Sequence, residues 1–254
     1  MRNDIDICDN IYFTFNLQCY VNNINALCCL IDNGKINKCS FVKSRKSQHI
    51  KDQYYLYHNY DSDVEPIKNN VKLQNYVITG PNASGKTTLL KTTMLNIIFS
   101  QQFGYGFYKN AKIVPYKILN SYINIPDTTG RDSLFQAEAR RCLEILNNIK
   151  EHKHEHSFII FDEIYSGTNP YEASKSGIAF LDVLKKYRVE FLITTHFKEL
   201  TSVKGIHNYH MDCNVKDGKL NYSYKFVKGI SHIQGGFNVL EELNYPKEII
   251  DKLR

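Results

Sequence analysis

The feature that most constrains the fold is a glycine-containing loop at residues 80–87, with the sequence Gly-Pro-Asn-Ala-Ser-Gly-Lys-Thr. The loop satisfies every fixed position of the pattern GxxxxGK[ST]. A short β-branched run at 76–79 precedes it, and apolar residues at 90, 94, 97 and 98 follow with helical spacing. A strand, this loop and a helix, in that order, form the context that a phosphate-binding loop requires. We therefore predict a nucleotide site here.

The predicted phosphate loop supplies both backbone and side-chain contacts. Its glycines allow a tight turn that points successive N–H groups at phosphate oxygens, and the helix N-terminus adds its dipole. Lys86 is expected to reach the β- and γ-phosphates, and the Thr87 hydroxyl to ligate Mg²⁺, so ATP and Mg²⁺ are the predicted cofactors. The predicted contacts of the nucleotide with this loop are Gly80, Pro81, Asn82, Ala83, Ser84, Gly85, Lys86, Thr87 and Thr88.

Two further motifs follow apolar runs that suit strands buried in a parallel sheet, at 158–161 and 190–195. After the first run, Asp162 would hold Mg²⁺ mostly through water, and Glu163 would orient and polarise the attacking water as general base. After the second, His196 would lie near the γ-phosphate and bind the attacking water. The predicted catalytic residues are therefore Lys86, Glu163 and His196, and the predicted metal ligands are Thr87 and Asp162.

Helical and strand patterns alternate along the rest of the chain. Helices are expected at 133–150 and 171–187, between the apolar strands, which predicts an α/β fold with a mostly parallel sheet flanked by helices and joined by right-handed crossovers. Short strands and loops are expected at 36–70 and 101–126.

The two ends of the chain carry different patterns. Phe13, Phe15, Leu17, Cys19 and Val21 alternate with more polar residues, and this period of two predicts a strand at 13–21. Near the other end, short helices are expected at about 236–243 and 246–253, the second with proline at its first position. They would form a small helical C-terminal tail.

Composition narrows the class of protein. The 254 residues are 43% hydrophobic and 23% charged, an ordinary balance for a globular chain, and 32 basic against 26 acidic residues give a net charge of +6, too mild to argue for nucleic acid alone. Seven cysteines without a CxxC pair argue against a zinc site or disulfide framework and for reduced thiols in an intracellular, cytoplasmic or nuclear, compartment.

Targeting and membrane signals are not expected. The N-terminal residues are charged at once and lack an apolar core, so no signal peptide is predicted, and the longest apolar run, 26–31, is far short of a membrane span. The abundance of Asn, Ile, Lys and Tyr, with no Trp, is typical of an AT-rich genome.

Two polar clusters each allow two interpretations. The basic run at 43–46 could contact phosphates, and His152, His154 and His156 could bind a metal. We favour a solvated loop for both, because short charge runs usually face water and no carboxylate or cysteine spacing supports a metal site.

The motifs taken together resemble the ATPase domain of the MutS family of mismatch-repair proteins, a branch of the ABC-type ATPases. The segments that carry this resemblance lie at 77–88, 106–111, 130–138, 162–172, 195–200 and 229–246. The resemblance implies a P-loop NTPase fold of ABC type and an ATPase that works as a homodimer or heterodimer through its ATPase face. It also implies an ATPase domain at 60–235 and a helical dimerisation tail at 236–254. Residues 1–59 are expected to form a strand-containing lead-in, either a remnant of the family's core or lever region or, as the alternation favours, a strand-rich lead-in to the ATPase sheet.

Further site residues follow from the same resemblance. Ser133 matches the family's serine that reaches the γ-phosphate bound by the partner subunit. Tyr224 stands where the family places a residue against the adenine, with Ile67 as an opposite wall. The implied function is ATP binding and hydrolysis in DNA mismatch repair or related DNA maintenance, with DNA contacted through something other than an evident mismatch-reading domain.

Two other functions stay open. One is a different ABC-class ATPase of DNA maintenance, such as an SMC-like head, which the segment at 130–138 disfavours. The other is a nucleotide-gated interaction module that does not hydrolyse ATP, which Glu163 and His196 disfavour. No LSGGQ-type signature is present, which argues against a transporter subunit.

Overall fold

A computed structural model describes residues 2–55, 65–123, 133–216, 219–233, 240, 241, 243 and 245–253. The helices of this part of the chain are α1 (Arg2–Asp32), α2 (Lys86–Phe103), α3 (Leu134–Glu151), α4 (Pro170–Leu184) and α5 (Lys247–Leu253). The strands are β1 (Asn37–Phe41), β2 (His49–Gln53), β3 (Asn69–Lys72), β4 (Tyr76–Thr79), β5 (Tyr105–Gly106), β6 (Asn110–Ile113), β7 (Ile118–Tyr122), β8 (Ser157–Asp162), β9 (Val189–Thr194), β10 (His207–Lys216) and β11 (Lys219–Lys228).

The larger sheet has six strands in the order β11-β10-β4-β9-β8-β7. Neighbours from β10 to β7 run parallel, and only β11 pairs antiparallel, with β10. Strand β9 is buried along its whole length and β8 in all but its last residue, as the apolar runs in the sequence predicted, and β4 is buried along its whole length as well. The expected α/β fold with a mostly parallel sheet is therefore confirmed.

Helices cover this sheet on both faces. On one face, Ile78, Phe158 and Leu192 pack in a cluster with Leu90 and Ile97 of α2. On the other, alternate residues of the same strands form a second cluster with α3 and α4, which contribute the side chains Cys142, Ile145, Ile149, Ala173, Phe180, Leu181 and Leu184. Successive residues of a strand point to opposite faces of the sheet, so the apolar run of each strand contributes side chains to both hydrophobic clusters.

A second sheet of five strands, in the order β3-β2-β6-β1-β5, lies on the α2 side. Its Ile50, Val71 and Ile113 belong to the same cluster as α2 and β4. The sequence predicted short strands in these regions but not that they join into one sheet. The division of the chain into domains at residue 59 stays a prediction. The second sheet contains strands from both sides of this boundary, since β1 and β2, before residue 59, pair with β3, β5 and β6, after it.

The strand predicted at 13–21 is wrong, because these residues lie within the 31-residue helix α1. No glycine or proline interrupts residues 2–33, and the apolar residues there fit helical as well as alternating spacing. The helix ends at Asp32, and Gly34, two residues beyond it, has a φ of 65°. Gly34 N–H donates to Ile31 O at 2.9 Å and Lys35 N–H to Leu30 O at 2.9 Å, the paired bonds of a Schellman cap.

Near the C-terminus, α5 confirms the helix expected at 246–253. Most of the helix expected at 236–243 falls on residues outside those described. In the described part of the chain, no helix combines the length and apolar character needed to cross a membrane.

The two polar clusters left open by the sequence meet at one buried carboxylate. Glu190, at the start of β9, is 4% exposed and pairs with both Arg45 and His156. His156 is itself 5% exposed and stacks against Tyr116, whereas His152 and His154 face solvent. The solvated-loop interpretation is therefore wrong for His156, which is buried against Glu190, and for Arg45, whose guanidinium pairs with the same carboxylate while its side chain stays 37% exposed. Among the described residues, no group of three or more metal-ligating side chains could hold a metal ion.

We predict that Glu190→Gln lowers the free energy of unfolding by about 1–3 kcal/mol, since the change removes the charge facing Arg45 from a buried site. The control is Asp182→Asn, because Asp182 is 55% exposed and pairs with Lys185 on the surface. The control change should fall within about 0.5 kcal/mol of the parent protein. Urea unfolding followed by circular dichroism measures both. Equal effects of the two substitutions would contradict a stabilising role for the Glu190 cluster.

Candidate nucleotide site

The predicted phosphate loop connects β4 to α2 at the carboxyl edge of the larger sheet. Two of its glycines have backbone angles that favour glycine, with φ of 149° at Gly80 and 91° at Gly85. A Cβ at Gly80 would lie 2.9 Å from Ser84 Oγ, so a side chain there would displace the Ser84 hydroxyl. That hydroxyl is buried and has no hydrogen-bond partner among the residues that the structure describes. An unpartnered hydroxyl inside a cradle of backbone N–H groups fits a phosphate ligand.

Lys86, the first residue of α2, folds its side chain back into the loop and is 5% exposed. Its Nζ donates to Gly80 O at 3.0 Å and to Pro81 O at 3.2 Å, and it lies 3.6 Å from Glu163 Oε1. Burial lowers the pKa of Lys86, while the nearby Glu163 and Asp162 carboxylates act in the opposite direction. The ammonium is thus held where phosphates would be bound.

Asp162 ends β8 and accepts one hydrogen bond on each carboxylate oxygen. Thr87 Oγ1 donates to Oδ2 at 2.8 Å, and Thr194 Oγ1 donates to Oδ1 at 2.6 Å. The structure therefore brings together Thr87 and Asp162, the two residues predicted to ligate Mg²⁺. Thr194 was not predicted, although it stands two residues before His196 in the same strand-end motif. Hydroxyl and carboxylate oxygens are ligands that Mg²⁺ prefers.

Glu163 and His196 form a pair beside Lys86. His196 Nε2 lies 2.9 Å from Glu163 Oε1 and 3.5 Å from Lys86 Nζ. The hydrogen bond from His196 lowers the pKa of Glu163, so the carboxylate stays ionised at neutral pH. Glu163 also has a φ of 54°, and its N–H donates to the carbonyl oxygen and the hydroxyl of Thr194 at 3.2 and 3.1 Å. The three predicted catalytic side chains therefore lie together.

A cavity of about 750 Å³ opens beside the loop. Tyr224 and Ile67, the predicted walls of the base site, both line it, and each is about two-fifths exposed. Thr88 and Glu163 line it as well. The sequence did not point to the other residues of the cavity wall, which come from four separate segments: Gln53, Tyr54, Tyr55, Glu65, Pro66, Asn69, Leu89, Thr92 and Met211.

Ser133 does not line this cavity; it caps α3 instead. Its Oγ accepts from Gln136 N–H at 3.3 Å, and the Gln136 side chain accepts from Ser133 N–H at 2.8 Å, a capping box. Ser133 is exposed, so it is available to a second chain.

Glu138 was not predicted as a site residue, but it ties α3 to the segment after Glu163. The Glu138 side chain is 2% exposed. It accepts from Ser166 N–H at 3.1 Å, from Ser166 Oγ at 2.7 Å and from Gly167 N–H at 3.0 Å. A Cβ at Gly167 would lie 2.8 Å from Phe135 N, so the segment packs directly on the start of α3. Glu138 thus orients the segment that follows Glu163.

A phosphate loop, an acidic pair and a strand-end histidine on one α/β sheet define a P-loop NTPase. Comparison with known families gives a match to MutS domain V, the ATPase domain of MutS, over residues 76–254. The chain belongs to the MutS family. This membership favours the MutS-like interpretation over the SMC-like head.

Two curated relatives show the extent of the similarity. A DNA mismatch repair protein MutS from Persephonella marina is 30% identical over 196 residues, which cover 73% of this chain and 22% of that protein. An endonuclease MutS2 from Staphylococcus aureus is 29% identical over 190 residues, covering 72% of this chain and 23% of that protein. The chain thus spans under a quarter of the length of these relatives.

We predict that Glu138→Gln destabilises the protein by about 1–3 kcal/mol, because an amide nitrogen would face the Gly167 N–H in a buried site. Hydrogen exchange should quicken at Ser166 and Gly167 in particular. Glu144→Gln, on an exposed part of the same helix, is the matched control and should leave both measurements unchanged. Unchanged exchange in Glu138→Gln would show that Glu138 does not hold this segment.

Proposed function

We propose that this chain binds Mg-ATP and hydrolyses it to ADP and phosphate, as part of DNA mismatch repair or related DNA maintenance. The observation that supports this most directly is the convergence of Lys86, Thr87, Asp162, Glu163 and His196 at one sheet edge, beside a cavity large enough for a nucleoside.

Binding of the phosphates is proposed to use the loop at 80–88. Its backbone N–H groups and the Ser84 hydroxyl would donate to phosphate oxygens. The Lys86 ammonium would exchange the carbonyls of Gly80 and Pro81 for the β- and γ-phosphates. Thr87 and Asp162 would hold Mg²⁺, which supplies charge neutralisation on the phosphate oxygens.

Hydrolysis is proposed to depend on Glu163. Its ionised carboxylate would accept a proton from the water that attacks the γ-phosphorus. As the water oxygen bonds to that phosphorus, the bond between the γ-phosphorus and the oxygen it shares with the β-phosphate breaks, and the electron pair of that bond stays on ADP. His196 would position that water and the carboxylate through the bond it already makes to Oε1. Lys86 would stabilise the negative charge that develops on the transferred group.

A second subunit is proposed to complete the site. Ser133 is exposed at the start of α3 and would reach the γ-phosphate bound by the partner in a homodimer or heterodimer through the ATPase face. Glu138, five residues later on the same helix, connects this contact to the segment after Glu163. DNA is the proposed macromolecular partner, since the similar proteins are named as a DNA mismatch repair protein and an endonuclease.

We predict that ATP turnover per chain rises with protein concentration, because hydrolysis needs the composite site. Glu163→Gln should lower the rate by about 100-fold or more, the usual contribution of a general base, while ATP still binds. Phosphate release at several concentrations, with and without mismatched duplex, measures both. Stimulation by duplex would support the role in DNA maintenance.

The same experiment separates hydrolysis from the alternative function. ATP binding without turnover in the parent chain, at concentrations where dimers form, would overturn the ATPase and leave a nucleotide-gated interaction module.

We predict that Tyr224→Ala weakens ATP binding by about 1–3 kcal/mol, the usual contribution of an aromatic ring stacked on a base. Binding of inorganic tripolyphosphate, which has no base, should not change. Tyr171, which is 67% exposed on α4, provides the control Tyr171→Ala. Isothermal titration of both ligands measures the difference. Equal losses for ATP and tripolyphosphate would mean that Tyr224 does not contact the base.

A further inference from the structure

Helix α1 is long, apolar and exposed. Every side chain from residue 9 to residue 26 faces solvent, and 31 residues in a helix extend about 46 Å. The large apolar side chains exposed along it are Ile11, Tyr12, Phe13, Phe15, Leu17, Tyr20, Val21 and Ile24. An apolar surface of this extent is typical of an interaction site.

The sequence of α1 is a poor one for an isolated helix. It contains six asparagines, four aromatic residues and one alanine, so its intrinsic helix propensity is low. Helices without tertiary packing are marginal in water even when their residues favour helix. Packing against a partner would provide the stability that propensity does not.

The apolar residues of α1 include an unbroken heptad seam. Phe13, Leu17, Tyr20, Ile24, Leu27 and Ile31 follow one another at spacings of four, three, four, three and four. This spacing places all six on one line along the helix, as the a and d positions of a coiled coil do. Leu17, Ile24 and Ile31 occupy a, and Phe13, Tyr20 and Leu27 occupy d.

The remaining heptad positions favour a partner identical to α1. No charged residue lies between Asp9 and Asp32, so two copies would bring no like charges together at the flanking e and g positions. Because this stretch of α1 is uncharged, it also has no side chains that could form ion pairs with a charged helix of a different protein. Asn10 falls at an a position, where a single asparagine sets register, and isoleucine at a with leucine at d favours two parallel strands.

We propose that α1 pairs with α1 of a second copy of this chain as a parallel, in-register two-stranded coiled coil along this seam. The interface uses none of the residues proposed for the ATPase face and needs no nucleotide. It would keep two ATPase domains at high effective concentration, so the expected rise of ATP turnover with protein concentration would follow formation of this dimer and level off once the dimer is complete.

The test is the oligomeric state of the full chain without nucleotide, measured by sedimentation equilibrium. The parent chain should sediment as a dimer, and Leu17→Asp with Ile24→Asp, at two a positions, should weaken association at least 100-fold. Gln18→Asp with Asn22→Asp adds the same charge at the b and f positions, away from the seam, and should remain dimeric. ATP binding in all three proteins checks that the ATPase domain is folded.

Disulfide formation tests the register. In a chain with Cys8, Cys19, Cys28 and Cys29 changed to serine, Leu27→Cys at d should give a linked dimer on mild oxidation. Asn25→Cys at b should not. The other free cysteines, Cys39, Cys142 and Cys213, are buried.

Several results would overturn the proposal. Self-pairing is excluded if the parent chain, without nucleotide, stays monomeric at 50 to 100 times the protein concentration used in the ATP-binding measurements. In that case α1 would be a binding surface for a different protein. Equal effects of the seam and control substitutions would exclude the seam, and failure of Leu27→Cys to link would exclude the parallel register. None of these results depends on ATP hydrolysis, so the proposed function stands or fails separately.

Discussion

The carboxylate of Asp162 joins three parts of the nucleotide site. Its two oxygens accept from Thr87 at the start of α2 and from Thr194 at the end of β9, while Asp162 itself ends β8. Because each hydroxyl donates to a different oxygen, the carboxylate has one orientation. The phosphate loop, the acidic pair and the histidine strand are thereby held at fixed mutual distances.

The larger sheet makes this arrangement possible. Parallel strands end at the same edge, so β4, β8 and β9 deliver the loop, Asp162 and His196 to one place. Burial of these strands on both faces, under α2 on one side and α3 with α4 on the other, gives the site a rigid base. The side chains that need freedom, Glu163 and His196, lie at the edge and remain partly exposed.

The motifs pointed to residues that the structure brings together at the centre of the candidate site, and they missed most of its periphery. Lys86, Thr87, Asp162, Glu163 and His196 were identified because their chemistry depends on local spacing after a strand. Several neighbours were missed because their roles arise from pairing between distant segments: Thr194 toward Asp162, Glu138 toward residues 166 and 167, and Arg45 and His156 toward Glu190. The N-terminal pattern misled for a physical reason, since Phe13 and Leu17 fit both a period of two and a heptad, and apolar residues lie on either side of each.

The sequence by itself determined the elements whose signals are local. These are the phosphate loop with its strand and helix, the buried strands of the parallel sheet, and the order of the motifs along the chain. Only the tertiary structure decided that residues 37–53 form a sheet with residues 69–113, that Tyr54 and Met211 line the same cavity as Tyr224, and that residues 2–32 are helical. The sheet and the cavity depend on contacts between residues far apart in the chain, which local spacing does not encode. For residues 2–32, two periodicities fit the apolar residues, and local spacing does not choose between them.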